Sequence, residues 1–297
     1  MCIRDRTIGI PAFNEESNIG KIIITLKKIT NDIIVCDDGS SDLTREIAEG
    51  LGAKVISHRK NMGYGEAIKS IFNEAKKKES DILVTFDADG QHRPEDIMSL
   101  AKPIIDQQAE VVIGSRFLKN ETDMPKYREI GVKILTKVTN MSIKENLTDS
   151  QSGLRAYKKK VLQNINLTDS GMGISTEILI KSHQKKFRIV EVPIQILYGK
   201  DTSTQNPVSH GTSVLLSTIK YTSIQHPLKF YGIPAIIFLL VGLSFLIWTF
   251  QIYAEETRVV TNIALVGIGT VILGAILMIS AILLYSLVSV VQDNRNA

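Results

Sequence analysis

Cysteine is almost missing from this chain, with only Cys2 and Cys36 among 297 residues. Two thiols cannot build a disulfide framework or a zinc site, and that scarcity fits a reducing compartment. Tryptophan is scarcer still, with Trp248 alone. No basic stripe with interleaved aromatics occurs, and a formal net charge of +4 is mild, so nucleic acid is not expected as a partner. Internal repeats and low-complexity tracts are absent. The first six residues, MCIRDR, lack the apolar centre of a signal peptide. Residues 1–6 are therefore read as an extension outside the fold, which is expected to begin near Thr7.

Charge is also missing from two long stretches, Tyr231 to Tyr253 and Ile263 to Val291. At about 1.5 Å per helical residue each can cross a hydrocarbon core of roughly 30 Å. The pair reads as a transmembrane hairpin, residues 231–253 and 263–291, around a short loop holding Glu255, Glu256 and Arg258. Lys220 and Lys229 precede the first span and Arg295 follows the second, so the positive-inside rule puts both ends in the cytoplasm of a membrane-anchored protein. Residues 212–230 mix apolar, aromatic and basic side chains and are expected to lie along the membrane surface.

Ahead of these spans, residues 7–211 alternate strands and helices. Strands are expected at TIGIPAF, Ile33 to Cys36, Lys54 to Ser57, Asp81 to Phe86, Glu110 to Gly114 and Arg188 to Ile196. Pro193 puts the last of these at a sheet edge. The alternation implies an α/β fold, a mostly parallel Rossmann-like sheet with helices on both faces. Two apolar runs break off into acids and a glycine, VCDDGSSD at Val35 to Asp42 and TFDADG at Thr85 to Gly90. Ligands of open α/β sheets bind at that carboxyl edge. Asp87-Ala88-Asp89 is a natural grip for Mg²⁺ or Mn²⁺ on a diphosphate, because these hard cations take one or two carboxylates plus substrate phosphates. Asp42 is expected to cap the following helix. Asn61, Gly63 and Gly65 read as a tight strand-to-helix turn. His92 is either a helix cap or a second ligand, and Glu177 either an inner structural acid or a site residue.

IPAFNEE, VCDDGSSD, NMGYGEA, DADGQH, GSRF, DSQSGLRAY and EVPI follow one another in the order found in family 2 glycosyltransferases. Over Thr7 to Pro193 the chain most resembles the membrane-anchored polyprenyl-phosphate (dolichyl-phosphate) sugar transferases. That resemblance implies a GT-A-type fold and inverting transfer of a hexose from a nucleotide-diphosphate sugar to polyprenyl or dolichyl phosphate, with GDP-mannose favoured and UDP-glucose next. It assigns Pro11, Phe13, Glu15, Val35 and Asp37 to the nucleoside pocket. Asp87, Ala88 and Arg116 would line the donor, and Asp89 and Gln91 would hold the metal. Asp149 and Arg155 join Asp87 and Asp89 as the expected catalytic group. Arg128, Arg155 and Lys200 would meet the acceptor phosphate. Phe13 stands where the family often has tyrosine, and Lys200 is the only basic residue between Tyr198 and His210. Rival readings are transfer to a lipid-linked saccharide or other glycan, and a membrane-anchored nucleotide-sugar-binding protein without turnover.

Overall fold

The computed structural model describes residues 6–118, 124–143, 145–196, 223 and 227–296. Lys200 lies outside the described residues, as does most of 212–230. The chain divides into two compact units, Met1–Thr218 and Ile219–Ala297.

In the first unit, strands β1 (Arg6–Ala12), β2 (Ile33–Asp37), β3 (Lys54–Ser57), β4 (Ile82–Thr85), β5 (Val111–Ser115), β6 (Arg155–Lys158) and β7 (Ile189–Pro193) form one sheet. Its order is β3-β2-β1-β4-β6-β5-β7. All pairs are parallel except those of β6, which runs antiparallel to both β4 and β5. β7 is the edge strand that Pro193 implied, paired only with β5.

Alternation along β1 shows why both faces are covered. Ile8, Ile10 and Ala12 join one apolar core with α1 (Glu16–Leu26), α2 (Thr44–Gly50) and α4 (Asp96–Ile105). α1 contributes Ile19, Ile22, Ile23 and Leu26, the i, i+3, i+4, i+7 stripe of an amphipathic helix. Gly9 points to the other face, where α3 (Tyr64–Lys77) lays Ile71 so close that a Cβ on Gly9 would fall 2.2 Å from it. Each fully buried isoleucine in these layers contributes roughly 1.5–3 kcal/mol. Among the described residues the unit has three further helices, α5 (Lys126–Ile143), α6 (Lys159–Asn164) and α7 (Ile174–Gln184).

Two expectations need correction. Arg6 is not outside the fold. It opens β1 in register with Ile82 and is 2% exposed. Strand β6 was not foreseen, because LRAY is too short for alternation to register and begins on an arginine. It forms because β4 and β5 both present ladder groups that need a partner.

In the second unit, a π-helical turn (Leu228–Gly232) leads into α8 (Ile233–Glu256), and α9 covers Thr261–Asn296. Thr257, in the left-handed conformation, ends α8. Both helices are long and apolar enough to cross a membrane, over Leu228–Glu256 and Thr261–Val288. Large apolar side chains such as Leu240, Phe250, Leu265 and Leu283 point outward, the opposite of a buried core helix. The seam between α8 and α9 is built from small residues at heptad spacing. Gly242 meets Val271 and the Gly267 carbonyl, Gly274 meets Leu239 and the Ala235 carbonyl, and Ala281 is fully buried. Small residues let apolar helices approach until their backbones touch, which is how such helices associate in lipid.

Candidate functional site

β1 is followed in the sheet by β2 on one side and β4 on the other, so the strand order reverses between β1 and β4. The crevice at such a reversal is where doubly wound sheets bind ligands. The acids delivered there are Glu15 after β1, Asp37 at the end of β2 with Asp38 just past it, and Asp87 and Asp89 after β4.

The loops after β1 and β2 are stitched together. Asn14 accepts the Ser41 amide at 2.9 Å and its own amide donates to Ser40 Oγ at 2.9 Å. Asp42 accepts the amides of Thr44, opening α2, and of Glu16, opening α1. It is the expected cap and serves two helices. Glu15, half-buried, accepts Asn18 Nδ2 at 2.9 Å. Burial raises its carboxyl, the Asn18 bond opposes this, and Asp89, Asp42 and Asp87 add to the rise. Phe13 stands exposed at the rim.

Asp37 is 3% exposed and accepts the Ser40 amide at 3.2 Å. Asp38 has a different task. It accepts His58 Nδ1 at 2.6 Å and the amides of Met62 and Gly63 at 2.9 and 2.8 Å. That pins the turn which the sequence read as a strand-to-helix connection. Gly39 and Gly63 both have positive φ, and a Cβ on Gly39 would lie 2.4 Å from the Lys60 carbonyl carbon. Val35 and Ala88 belong to the apolar core, so neither presents a side chain to the crevice. Pro11 is buried within β1.

Asp87 is the best-braced acid of the site. Its Oδ2 lies 3.1 Å from His92 Nε2 and its Oδ1 accepts Tyr64 Oη at 3.3 Å. Burial alone would push its carboxyl up, but His92, Tyr64 and Arg116 outweigh that and hold it below the usual range. Asp89 goes the other way, raised by burial and then by Asp87. It accepts the Gln91 amide at 3.0 Å. Two acids separated by Ala88, driven in opposite directions, mark a point of uncompensated negative potential. Asp89 and Gln91 offer hard oxygens there, and no group of three acidic, histidine or cysteine ligands occurs among the described residues. That donor set fits a cation whose shell is completed by substrate phosphates and water. His92 is buried, packs edge-on against Phe86 and braces Asp87.

On the other side of β4, Asp149 is fully buried and takes Arg116 as a fork, Nε at 2.6 Å and Nη2 at 2.7 Å. It also accepts the Arg116 and Gln151 amides. Arg155, 1% exposed, spends its guanidinium on three carbonyls, those of Ser152, Ser175 and Ser150 at 2.7, 2.8 and 2.6 Å. It locks the DSQSG loop to α7, which sequence reasoning, expecting a phosphate contact, did not anticipate. Gly153 of that loop abuts Asp87, whose Oδ2 would be 2.2 Å from a Cβ there. Arg128 lies half-buried in the first turn of α5. Glu177 is fully buried and accepts the amides of Thr168 and Asp169 and pairs with Lys181. It is an inner structural acid, holding a loop whose Ser170 carbonyl accepts the Gly65 amide.

Comparison with known proteins matches residues 7–165 to the model for glycosyl transferase family 2. An uncharacterised protein of Methanocaldococcus jannaschii is 38% identical over 213 residues, 70% of this chain and 86% of its own length. The UDP-N-acetylglucosamine–dolichyl-phosphate N-acetylglucosaminyltransferase of Methanococcus voltae is 36% identical over 230 residues, covering 70% of this chain and 89% of that protein. Among solved structures, glucosyl-3-phosphoglycerate synthase from Mycobacterium tuberculosis, in complex with Mn²⁺, UDP-glucose and phosphoglyceric acid, superposes with a TM-score of 0.58. It is 20% identical and covers 74% of this chain and 80% of its own. That likeness establishes the GT-A-type fold.

Proposed function

The chain belongs to glycosyl transferase family 2, and from that premise we propose that it moves one sugar from a nucleotide-diphosphate sugar to a polyprenyl or dolichyl phosphate at the cytoplasmic membrane face. The observation that carries this reading is the pair Asp87 and Asp89 at the β1/β4 reversal, beside the Asp149–Arg116 fork. Asp37 and Glu15 take the nucleoside side, with Phe13 at the rim. Asp87, held by His92 and Tyr64, meets the donor sugar. Mg²⁺ or Mn²⁺ on Asp89 and Gln91 supplies neutralisation of the departing diphosphate when bound.

In the transfer, an acceptor phosphate oxygen forms a bond to the anomeric carbon as the bond to the donor phosphate breaks. The nucleoside diphosphate leaves with the electron pair. A lipid phosphate is already ionised near neutral pH, so positioning contributes more than proton removal. Asp149, fully buried and occupied by Arg116, fits orientation of that guanidinium toward phosphate better than a role as base. Arg155 acts as a positioning residue through the DSQSG loop. Arg128 and Lys200 remain assigned to the acceptor phosphate.

The acceptor class is supported by the dolichyl-phosphate transferase relative and by the two candidate spans, which would keep the enzyme beside a lipid that stays in the bilayer. GDP-mannose and UDP-glucose head the donors, and that relative adds UDP-N-acetylglucosamine. Detergent-solubilised protein would be incubated with Mn²⁺ or Mg²⁺, polyprenyl phosphate and each labelled donor in parallel. Label entering the organic phase with one donor, and lost in Asp89→Ala, is the expected result. No lipid label with any of the three, despite metal-dependent donor binding, overturns the acceptor assignment.

A further inference from the structure

α5 exposes an unusual face. Among its described side chains the exposed ones are Lys126, Ile130, Lys133, Ile134, Lys137 and Met141. Their spacing places all six on one side of the helix. The opposite side, Leu135, Thr136, Thr139 and Ile143, is buried in the first unit. Ile130, Ile134 and Met141 are 59%, 52% and 74% exposed. A helix face turned to water ordinarily carries mixed charges and few large apolar groups. This one has lysines and large apolar side chains in equal number and no acid. Glu129, beside it and half-buried, pairs with Lys133, whose ammonium also lies 5.6 Å from the Phe117 ring.

We propose that this face of α5 docks on the surface of a bilayer carrying anionic headgroups. Isoleucine and methionine would enter the headgroup boundary while the lysine stems reach the phosphates, the usual division of labour in an interfacial helix. Charge complementarity selects the occupant, because anionic leaflets attract clustered lysines within a Debye length. A second copy of the same face would set lysines against lysines with no acid to meet them. The two candidate spans keep the chain within reach of a bilayer. Arg128, on the first turn of the same helix, would then sit on an element anchored to the acceptor's own solvent. The inference rests on the spans and not on the reaction, so failure of either can be recognised separately.

The test uses the full chain in proteoliposomes, on a Cys2→Ser/Cys36→Ala background, with single spin labels at Ile134→Cys and Met141→Cys. Lys28→Cys and Glu49→Cys, on exposed parts of α1's end and α2, serve as references. In bilayers containing phosphatidylglycerol, the two α5 labels should collide severalfold more with oxygen, relative to a water-soluble nickel chelate, than the references do. The excess should shrink in pure phosphatidylcholine, at high salt, and in Lys126→Glu/Lys133→Glu/Lys137→Glu. Equal ratios at all four positions in anionic bilayers would overturn the proposal. So would α5 labels shielded from both reagents, which would mean that protein covers the face.

Discussion

Gly153→Ala offers the sharpest check on how the two halves of the site fit together. The glycine's φ is not in the left-handed region, so the effect of alanine there comes chiefly from where its methyl group falls. That methyl would lie 2.2 Å from Asp87 Oδ2, 2.7 Å from Oδ1 and 2.8 Å from Cγ. Restoring van der Waals contact requires the carboxylate or the DSQSG loop to move by about 1 Å. The loop resists, since Arg155 ties its Ser150 and Ser152 carbonyls and reaches Ser175 as well. Asp87 is therefore the partner that gives way, and it leaves His92 and Tyr64. A misplacement of about 1 Å at a reacting centre can lower turnover on the order of 100-fold, equivalent to roughly 2.7 kcal/mol of activation free energy. Donor binding by calorimetry with Mn²⁺ and turnover with polyprenyl phosphate would be measured beside a thermal melt. The expected pattern is a melting temperature near that of the parent with turnover down by about two orders of magnitude. Parental turnover in a folded Gly153→Ala protein would refute the reasoning, because Asp87's exact placement would then not matter.

His92→Phe keeps the ring contact with Phe86 and removes both the Asp87 bond and a buried Nδ1 that has no partner. It should leave the melting temperature intact and weaken donor binding about 10-fold; an unchanged donor affinity would make His92 a packing residue only. Asp149→Asn leaves one acceptor oxygen where the Arg116 fork needs two, so kcat/KM should fall by roughly 10- to 100-fold. Its residual activity should keep the parental pH profile, and loss of the low-pH limb, where a base becomes protonated, would instead make Asp149 the proton acceptor. Glu177→Ala strips the Thr168 and Asp169 amides and Lys181 of a fully buried partner, and should cost about 1–3 kcal/mol or more. Limited proteolysis should then cut near 166–171 first. Glu66 is held below its ordinary value by hydrogen bonds from Lys69 and Ser170. A depressed carboxyl stabilises the fold above its unfolded pKa, near 4.5, and that contribution fades as pH falls through the lower folded value. Glu66→Gln should flatten this acid limb in thermal melts between neutrality and pH about 3, and an unaltered acid limb would remove Glu66 as its source.

What could be read from residue order, and what could not, divides along a physical line. β1, β2, β4 and their helices were legible because each is one local pattern: an apolar run, a turn rich in acids and glycine, then a helical stripe such as Ile19, Ile22, Ile23 and Leu26. The gathering of Glu15, Asp37, Asp87 and Asp89 at one sheet edge was legible with them, since a strand's end fixes where its next residues point. Partner choice was not legible. Nothing near Asp149 says that its fork is Arg116, 33 residues away, and nothing in LRAY says that Arg155 will face three carbonyls inside a strand. The same blindness made Arg6 look dispensable, although β4 gives it a register partner 76 positions on. Residue order offers Arg116 to the donor and Arg155 to the acceptor phosphate, and burial is what separates them. An arginine 1% exposed and matched to backbone oxygens is committed to structure, whereas one on the fork of a buried acid is aimed. Asp149 can therefore be essential without touching a proton, and the Asp149→Asn pH profile is where that difference becomes measurable.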